Sequence, residues 1–340
     1  MAVSAKKRNF ARKIYRTMKI LITGATGFIG SFICEEAVNR GFETYAAIRK
    51  TSSLKYISDE RIKKIELNLS SREQLVSALK EHEFDYVVHA AGATKCLNKD
   101  DFFRINTEGT KNLIQAVRET QPQLKRFVFI SSLSVFGAIK ENQPYEPITE
   151  QDTPQPNTAY GQSKLKAEEY LRTQEGFPYV ILRPTGVYGP REKDYYMMFD
   201  SIKKHVDFAA GYKPQVITFV YVSDVVQAVF LAMEKDCVGR AYFLSDGQNY
   251  SSTDFSDLII KELGVKGVLR VKAPLCILKL VTTCGEYFGR LTKQMTALNK
   301  DKYNILSQRN WMCDITPAEQ ELGYKPQVLL PEGVKRTAEQ

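Results

Sequence analysis

The chain has 340 residues, of which 43% are hydrophobic and 26% are charged, as expected of a globular protein with a sizeable core. Its net charge of +9 is uneven, because Met1–Thr17 contains six Lys and Arg residues and no acid, so the rest of the chain is only slightly basic. A basic groove for nucleic acid is therefore not predicted, and no apolar run reaches the ~20 residues of a membrane-spanning helix.

The basic segment over residues 1–17 lacks the apolar stretch and the small-residue cleavage site of a signal peptide. We interpret it as an extension, or as an upstream start before Met18, in preference to a weak anchor to anionic lipid. The six cysteines form no C-x-x-C pair and there are only three histidines, so no metal site is predicted. Scattered cysteines of this kind are typical of reduced packing residues in a cytoplasmic protein.

The next segment, Lys19–Gly30, reads KILITGATGFIG and predicts a strand and a tight turn, followed by a helix over 31–40. Glycine at Gly24, Gly27 and Gly30 lets the backbone turn sharply and lets a phosphate approach the main chain. The helix that follows offers unpaired N–H groups and the positive end of its dipole to an anion. The segment therefore predicts a dinucleotide site.

Strands and helices then alternate along the chain. Further strands are predicted at 44–48, 61–67, 85–90, 126–131 and 179–182, and helices at 71–80, 100–120 and 157–172. Each strand is a near-continuous apolar run, which is typical of a parallel sheet covered on both faces. The predicted fold class is α/β, a doubly wound parallel Rossmann sheet whose ligand lies beyond the carboxyl ends of the strands.

After residue 189 the pattern loosens into a strand at 217–222, a helix at 224–234, a strand at 241–244 and an apolar segment at 274–295. We predict an NAD(P)-binding Rossmann domain over 18–189, to which 217–245 returns. A smaller, mixed C-terminal substrate domain is predicted from 190–216 and 246–334. The apolar segment is interpreted either as core or dimer packing, or as a lid over an apolar substrate.

The end of the second strand bears on the choice of cofactor. NAD-specific sites carry an acid about 20 residues after the glycine-rich turn, where it accepts a hydrogen bond from the ribose 2′-OH. Here Arg49 and Lys50 are followed by hydroxyl residues, and no acid is present. A guanidinium suits a 2′-phosphate by charge and by its two-pronged geometry, so NADP is predicted, with NAD as the alternative.

Two further groups of residues suggest acid–base chemistry. Tyr160 and Lys164 are four residues apart at the start of a predicted helix, and so share one helical face. A lysine cation favours the phenolate and lowers the pKa of such a tyrosine, which then exchanges a proton with a carbonyl or alcohol oxygen. Ser131 and Ser132 end the fifth strand, where a hydroxyl is placed to hold the same oxygen.

Together these features resemble the extended short-chain dehydrogenase/reductases, also called the NAD-dependent epimerase/dehydratase family, over about residues 18–334. Seven motifs follow in the family's order, which makes the resemblance specific. They are TGATGFIG at 23–30, HAAG at 89–92, NTEGTKNL at 106–113, FISSLSVFG at 129–137, YGQSK at 160–164, RPTGVYGP at 183–190 and FVYVSD at 219–224.

The resemblance implies catalytic roles. Tyr160 is expected to be the general acid/base, and Lys164 to lower its pKa and to bind the nicotinamide ribose. Ser132 is expected to hold the substrate oxygen; it is chosen over Ser131 because it lies four residues before Phe136, where the family usually has Val-Tyr-Gly.

The resemblance also implies a set of cofactor-binding residues, which includes Tyr160 and Lys164. The others are Gly24, Gly27, Phe28, Ile29 and Gly30 around the pyrophosphate, Ala90, Ala91 and Gly92 along the adenosine side, Arg49, Lys50, Asn68 and Leu69 near the adenosine, and Pro184 and Val187 near the nicotinamide. Asn106 is placed with this set as a support of the active-site helix. Asn68 stands where relatives often have Asp.

Departures from the family pattern indicate the branch. Leu133 and Ser134 follow Ser132 in place of the Asp-Glu pair of sugar dehydratases, so a 4,6-dehydratase is not expected. The apolar segment and the basic residue at Arg49 are more similar to the dihydroflavonol reductase and 3β-hydroxysteroid dehydrogenase branch.

A second departure concerns the substrate diphosphate. Ile217 and Thr218 stand where many nucleotide-sugar epimerases carry an Arg-Asp pair whose Arg binds the diphosphate. Arg191 or Lys213 remains available as a substitute for that Arg.

We therefore predict an NAD(P)-dependent oxidoreductase that transfers a hydride reversibly to a ketone or secondary alcohol of a non-nucleotide, lipid-like substrate. Two alternatives stay open: a nucleotide-sugar epimerase, in which the hydride returns to the same substrate, and a non-catalytic NADP-sensing protein. The complete set of Ser132, Tyr160 and Lys164 argues against the second alternative. The resemblance also implies a homodimer through the helix that bears Tyr160.

Overall fold

The computed structural model describes residues 17–292 and 299–339, so nearly all of the basic segment over 1–17 lies outside the described residues. Its centre is a seven-stranded parallel sheet of order β11-β6-β5-β4-β1-β2-β3. The strands are β1 (Lys19–Thr23), β2 (Glu43–Ile48), β3 (Lys63–Glu66), β4 (Tyr86–His89), β5 (Arg126–Ile130), β6 (Tyr179–Pro184) and β11 (Ala241–Leu244). The predicted doubly wound α/β fold is confirmed.

Helices cover both faces of this sheet. They are α1 (Phe28–Asn39), α2 (Arg72–Leu79), α3 (Lys99–Phe102), α4 (Gly109–Thr120), α5 (Ala159–Arg172) and α7 (Val222–Glu234). Helices α1 and α7 pack together on one face, and α2, α4 and α5 pack on the other. The central strands β1, β4, β5 and β6 and the edge strand β11 are almost wholly buried, because apolar residues from both helical layers contact them, whereas the edge strand β3 is mostly exposed.

The helix predicted over 100–120 is interrupted by a π-helical turn at Phe103–Glu108, between α3 and α4. Within this turn Asn106 and Thr107 are buried and bond to Ser163 of α5. Such turns often occur at functional sites, and this one holds the helix that bears Tyr160.

The strand predicted at 217–222 is wrong in detail. It is two short strands, β9 (Val216–Ile217) and β10 (Phe219–Tyr221), and Val222 already begins α7. Between them Thr218 is buried and donates its hydroxyl to the carbonyl of Trp311. The two short strands on either side of Thr218 pair with different partner strands. Strand β10 pairs with β7 (Gly186–Tyr188), and β9 pairs with β12 (Tyr250–Ser251).

The remaining elements belong mostly to the C-terminal part. They are α6 (Tyr196–Lys203), β8 (Val206–Ala210), α8 (Asp254–Leu263), β13 (Leu269–Ala273), α9 (Leu275–Thr292), α10 (Lys300–Ser307), a π-helical turn at Ala318–Leu322, and α11 (Leu330–Ala338). A third apolar cluster, which includes Phe199, Phe255 and Ile259, lies among them. No helix in the described ranges is long and apolar enough to cross a membrane.

The apolar segment predicted over 274–295 forms α9 as far as Thr292, and its last three residues lie outside the described residues. Interpretation of this segment as core is wrong. Several of its large apolar side chains, including Leu280, Tyr287 and Phe288, are more than half exposed.

Candidate functional site

The glycine-rich turn joins β1 to α1 in very little space. Gly24 has a φ of +70°, and a Cβ atom there would lie 2.6 Å from the carbonyl carbon of Ala90 at the end of β4. A Cβ atom at Gly30 would overlap the Gly24 carbonyl. Only glycine fits these two positions, because a side chain at either one would overlap neighbouring backbone atoms. The backbone of the turn therefore lies directly against the end of β4.

The same turn leaves the start of α1 open. Gly27 is the N-cap residue, no side chain caps the helix, and no acid lies in its first turn. The N–H groups at Phe28 and Ile29 are therefore free for an anion. The residues present fit the pyrophosphate of a dinucleotide.

Residues predicted near the adenosine lie at the carboxyl ends of β2 and β3. Arg49 and Lys50 are exposed, and within the described ranges the Arg49 guanidinium has no partner. Lys50 lies 3.9 Å from Glu66. Asn68 uses its side chain on Ser70 and Gln74, and Leu69 accepts a hydrogen bond from Asn112.

The carboxyl end of β4 brings Ala90, Ala91 and Gly92 to the same sheet edge. A Cβ atom at Gly92 would lie 3.2 Å from Lys164 Nζ and 3.3 Å from Asn106 Oδ1, so this turn packs directly against Lys164. Ala91 N donates to Thr23 Oγ1, at 3.3 Å, which ties the turn to the end of β1.

Asn106 bonds to both neighbouring segments. Its Nδ2 donates to the Ala93 carbonyl and to Ser163 Oγ, each at 3.0 Å, and its Oδ1 accepts from Ala93 N at 2.7 Å. Ser163 in turn donates to the Tyr160 carbonyl at 2.7 Å. One N–H of the amide thus holds the turn after β4 and the other holds α5.

Ser132, Tyr160 and Lys164 are brought together by β5 and α5. Ser132 follows β5 and its hydroxyl accepts from Ser134 N at 3.1 Å. Tyr160 is the second residue of α5 and is hydrogen-bonded to Ser132. Lys164 lies one turn later, is buried, and donates from Nζ to the carbonyl of Ile130 at 2.8 Å.

The pKa values of this pair correct one expectation. Burial raises the pKa of Tyr160 to about 12, although its hydrogen bond with Ser132 opposes the shift. The predicted lowering by Lys164 is wrong for the protein alone, because desolvation of the phenolate dominates and only the Ser132 hydroxyl opposes it. Burial also lowers the pKa of Lys164 to about 8, and the charge of Glu168 opposes that shift.

Ser131 has a different partner from Ser132. Its hydroxyl donates to Glu168, which is buried on α5 and is also bonded to Arg183 of β6, with Nε to Oε1 at 3.0 Å. Arg183 further contacts Glu150. Ser131 is thereby committed to a buried ionic network, which supports the choice of Ser132 for the substrate oxygen.

His89 was missed by the sequence reasoning. It is buried at the end of β4, and its ring nitrogens bond to Thr23 at 2.6 Å and Thr110 at 2.8 Å. Burial, and then the charge of Lys164, lowers the pKa of His89 to about 3. A neutral histidine therefore joins β1, β4 and α4 beneath the cofactor edge; its place in the motif at 89–92 was its only signal.

Asp301 was also missed, because nothing in the local sequence links it to Tyr160. From α10 its Oδ2 accepts a hydrogen bond from Ala159 N at 2.9 Å, and the Tyr160 N–H is a further partner. Asn304 of the same helix donates to the Asn157 carbonyl. The C-terminal part thus caps the helix that bears Tyr160.

The remaining predicted residues lie near this edge. Pro184 is the buried last residue of β6, and Val187 pairs with Val220 in the short β7–β10 ladder. All six cysteines are free, but Cys276 and Cys284 are exposed on α9 and are not packing residues. Within the described ranges, no group of three or more His, Cys, Asp or Glu side chains is placed to hold a metal ion.

Comparison with known proteins agrees with this geometry. The sequence model of the NAD dependent epimerase/dehydratase family matches residues 20–244. Sterol-4-alpha-carboxylate 3-dehydrogenase, decarboxylating, from Schizosaccharomyces pombe is 25% identical over 336 residues, covering 94% of this chain and 96% of the relative. UDP-glucose 4-epimerase from Vibrio cholerae is 25% identical over 343 residues, covering 94% of each.

Among solved structures, UDP-glucose 4-epimerase from Thermotoga maritima, crystallised with UDP-glucose, superposes with a TM-score of 0.77. It is 24% identical, over 95% of this chain and 98% of that one, which shows a shared Rossmann-like fold. A dehydrogenase and an epimerase are thus equally similar in sequence, so identity alone does not choose between their reactions.

Proposed function

This chain belongs to the NAD dependent epimerase/dehydratase family, and from that premise we propose that it is an NADP-dependent reductase of a non-nucleotide, apolar ketone. The reverse oxidation of the secondary alcohol belongs to the same proposal. One observation carries it: Tyr160 bonds to Ser132, and the turn over residues 90–92 contacts both Lys164 and Gly24 of the glycine-rich turn. We place the protein in the cytoplasm, where NADPH is available.

The nicotinamide supplies or accepts the hydride when the cofactor is bound. Ser132 donates a hydrogen bond to the substrate oxygen and holds it beside Tyr160. Because burial keeps the pKa of Tyr160 at about 12, the phenol is protonated at neutral pH and is ready to donate. That protonation state suits reduction, in which the carbonyl oxygen gains a proton as the carbon gains the hydride.

The preference for NADP rests on Arg49. Its guanidinium is exposed at the carboxyl end of β2 and, among the described residues, has no ion-pair partner to compete with a phosphate. Lys50 adds a second positive charge, only loosely paired with Glu66 at 3.9 Å. A 2′-phosphate at this position meets two cations, whereas a ribose 2′-OH finds no carboxylate.

A non-nucleotide substrate is favoured because the positions from which many epimerases bind the substrate diphosphate offer no free positive charge here. Thr218 is buried and bonded to Trp311, and the neighbouring Ile217 carries no charge. Arg191 is engaged with α1, donating to Ser31 at 2.9 Å and to Glu35 at 2.7 Å. It is therefore a poor substitute for the Arg that binds substrate diphosphate in many epimerases.

A nucleotide-sugar epimerase is the competing function, because relatives of equal similarity carry that name. Incubation with NADPH and a panel of apolar cyclic ketones, or with UDP-, GDP- and TDP-sugars, separates the two. A reductase consumes NADPH in proportion to the alcohol formed, whereas an epimerase interconverts sugars with no net change in cofactor. Sugar interconversion without NADPH loss contradicts the proposal, and binding of NADPH without turnover of any compound favours a non-catalytic sensor.

The proposal also includes a division of the chain into two domains and a homodimer. We assign 18–189, joined by 217–245, to cofactor binding, and 190–216 with 246–334 to the substrate, since Asp301 reaches the active site from the latter. By family resemblance we also propose a homodimer through α5. Light scattering tests the dimer independently of activity.

A further inference from the structure

We propose that strands β8 and β13, together with helix α9, form a face that docks on the surface of an anionic lipid bilayer. This face, called the docking face below, consists of the outer side of the two strands and the exposed stripe of the helix. Docking itself does not depend on the proposed substrate.

The two strands present apolar residues outward and ionic residues inward. Phe208 and Val271 are register partners in the parallel β8–β13 pair, and Leu269 lies two residues from Val271 on the same side. Phe208 and Leu269 are 68% and 66% exposed. This arrangement is the reverse of a two-layer sheet whose outer side faces water.

The inner side of the same strands is covered. There Arg270 bonds to buried Asp207 at 2.6 Å and to Asp257 of helix α8. Helices α6 and α8 pack together behind the strands. The apolar side therefore faces outward in this fold, because the ion pairs of Arg270 with Asp207 and Asp257 hold the opposite side against the helices.

Helix α9 continues the face. Its exposed residues Ile277, Leu280, Val281, Tyr287 and Phe288 follow the spacing of one helical stripe. Tyr287 and Phe288 are 70% and 64% exposed, and no element in the described ranges covers them.

The strands and the helix are contiguous. A Cβ atom at Gly211 would lie 3.3 Å from the Leu275 side chain at the start of α9. The next residue, Tyr212, is exposed and donates its hydroxyl to the Lys272 carbonyl at 3.2 Å. One continuous apolar surface thus runs from the strand pair on to the helix, and a surface of that kind marks an interaction site.

Charge identifies the partner. Residues 203–213 and 264–292 contain eight Lys and Arg residues and two acids, Asp207 and Glu286. Both acids are engaged, Asp207 with Arg270 and Glu286 with the Lys300 N–H. With Arg270 and Asp207 paired, the remaining Lys and Arg residues outnumber Glu286, so these segments carry a net positive charge beside the apolar surface.

An apolar stripe flanked by lysines has the chemistry of an interfacial helix on anionic lipid. A second copy of the chain would bring two basic surfaces together and is disfavoured by repulsion. An anionic bilayer satisfies both the apolar and the basic parts of the face.

The docking face is connected to the active site through α10. Glu286 of α9 accepts from the Lys300 N–H, and the following residue, Asp301, caps the helix that bears Tyr160. A substrate dissolved in the bilayer would meet the protein on the side that leads to the active site. This last step rests on the proposed function, whereas the docking does not.

Flotation of the full-length protein with lipid vesicles tests the proposal. Vesicles of phosphatidylcholine alone are compared with vesicles containing about 30% phosphatidylglycerol. We expect binding to the anionic vesicles, weakened by raised salt, and a loss of about tenfold or more in the double variant Leu280→Glu/Phe288→Glu. Val238→Glu, at an exposed apolar residue outside the face, is the matched control and should bind as the wild type does.

A second variant covers the case in which the first does not fold. Lys213→Glu/Lys279→Glu changes only exposed charges, beside Tyr212 and on α9, and should abolish the preference for anionic vesicles. Thermal unfolding and stabilisation by NADPH report whether each variant is folded, independently of vesicle binding.

Three results overturn the proposal. They are no binding by the wild type, equal binding by the wild type and both folded variants, and a wild-type dimer that the double apolar variant dissociates without any vesicle binding. The second result assigns lipid binding to a surface other than the docking face. The third assigns the docking face to another copy of the chain.

Discussion

Around the glycine-rich turn, polar side chains are inside and partnered: Glu168 holds Arg183, and His89 bridges Thr23 and Thr110. In the docking face the apolar side chains are outside, and Phe208 and the stripe of α9 have no partner in the described ranges. In the first region these buried groups find their partners within the chain, and the N–H groups at Phe28 and Ile29 are left open for the cofactor. The apolar side chains of the docking face are removed from water only when another surface covers them. The cofactor half therefore has the features of a fixed scaffold, and the C-terminal half those of an attachment and entry side.

The largest effect is expected from a variant that breaks the buried ionic network of Glu168 and Arg183. Glu168→Ala leaves the buried Arg183 guanidinium with Glu150 alone, and we expect a loss of about 3–5 kcal/mol in the free energy of unfolding. Urea unfolding measures it. Arg72→Ala, which removes an exposed pair with Glu119, should cost less than about 1 kcal/mol. Equal losses in the two variants would show that the network does not hold the scaffold.

The next effect concerns the exposed end of the cofactor site. Arg49→Ser should weaken NADPH binding by about tenfold to a hundredfold, because a charge-assisted contact with the 2′-phosphate is lost. NADH binding should stay within about twofold, since that cofactor lacks the phosphate. Titration calorimetry with both cofactors provides the measurement, and an equal loss for NADH contradicts the assignment.

Asp301 joins the two regions, and its variants sharpen the comparison. Asp301→Ala removes the cap at Ala159 and Tyr160, and should lower stability by about 1–2 kcal/mol and kcat more than it changes KM. Asp301→Asn keeps an accepting oxygen and should recover most of both. Failure of the Asn variant to rescue kcat would mean that the carboxylate does more than position the helix.

The smallest effect is a pH dependence of stability. The folded pKa of His89, about 3, lies below the value of about 6.5 in an unfolded chain. The unfolded state therefore binds the proton first, and the free energy of unfolding falls as pH drops below about 6.5. Between pH 7 and 5.5 we expect a loss of about 1 kcal/mol that His89→Gln removes. His205→Gln, at an exposed histidine, serves as the control; an unchanged slope in His89→Gln contradicts the account.

The sheet and the cofactor edge were predictable because their signals are local. Apolar strands, the glycine triplet and the i to i+4 spacing of Tyr160 and Lys164 are all contained within short segments. The order of the motifs then placed Ser132 and Asn106 beside them. Arg49 was visible as the absence of an acid at a position fixed by the turn.

The rest depends on contacts between distant segments. Asp301 lies 142 residues from its partner Ala159, so no periodicity reports it. The apolar sequence of α9 is compatible with a core helix, a lid or an exposed surface. Only the exposure of its side chains in the fold distinguishes the three. The raised pKa of Tyr160 likewise follows from burial, which spacing to Lys164 does not reveal.

The central claim is that Tyr160 exchanges the substrate proton in a site whose cofactor half is otherwise complete. Turnover and NADPH binding are measured together in wild type and Tyr160→Phe, with the ketone that the panel identifies. The account predicts a loss of about a thousandfold in kcat with NADPH affinity unchanged, since the phenol acts on substrate and the cradle is formed elsewhere. Turnover of Tyr160→Phe at the wild-type rate would contradict it.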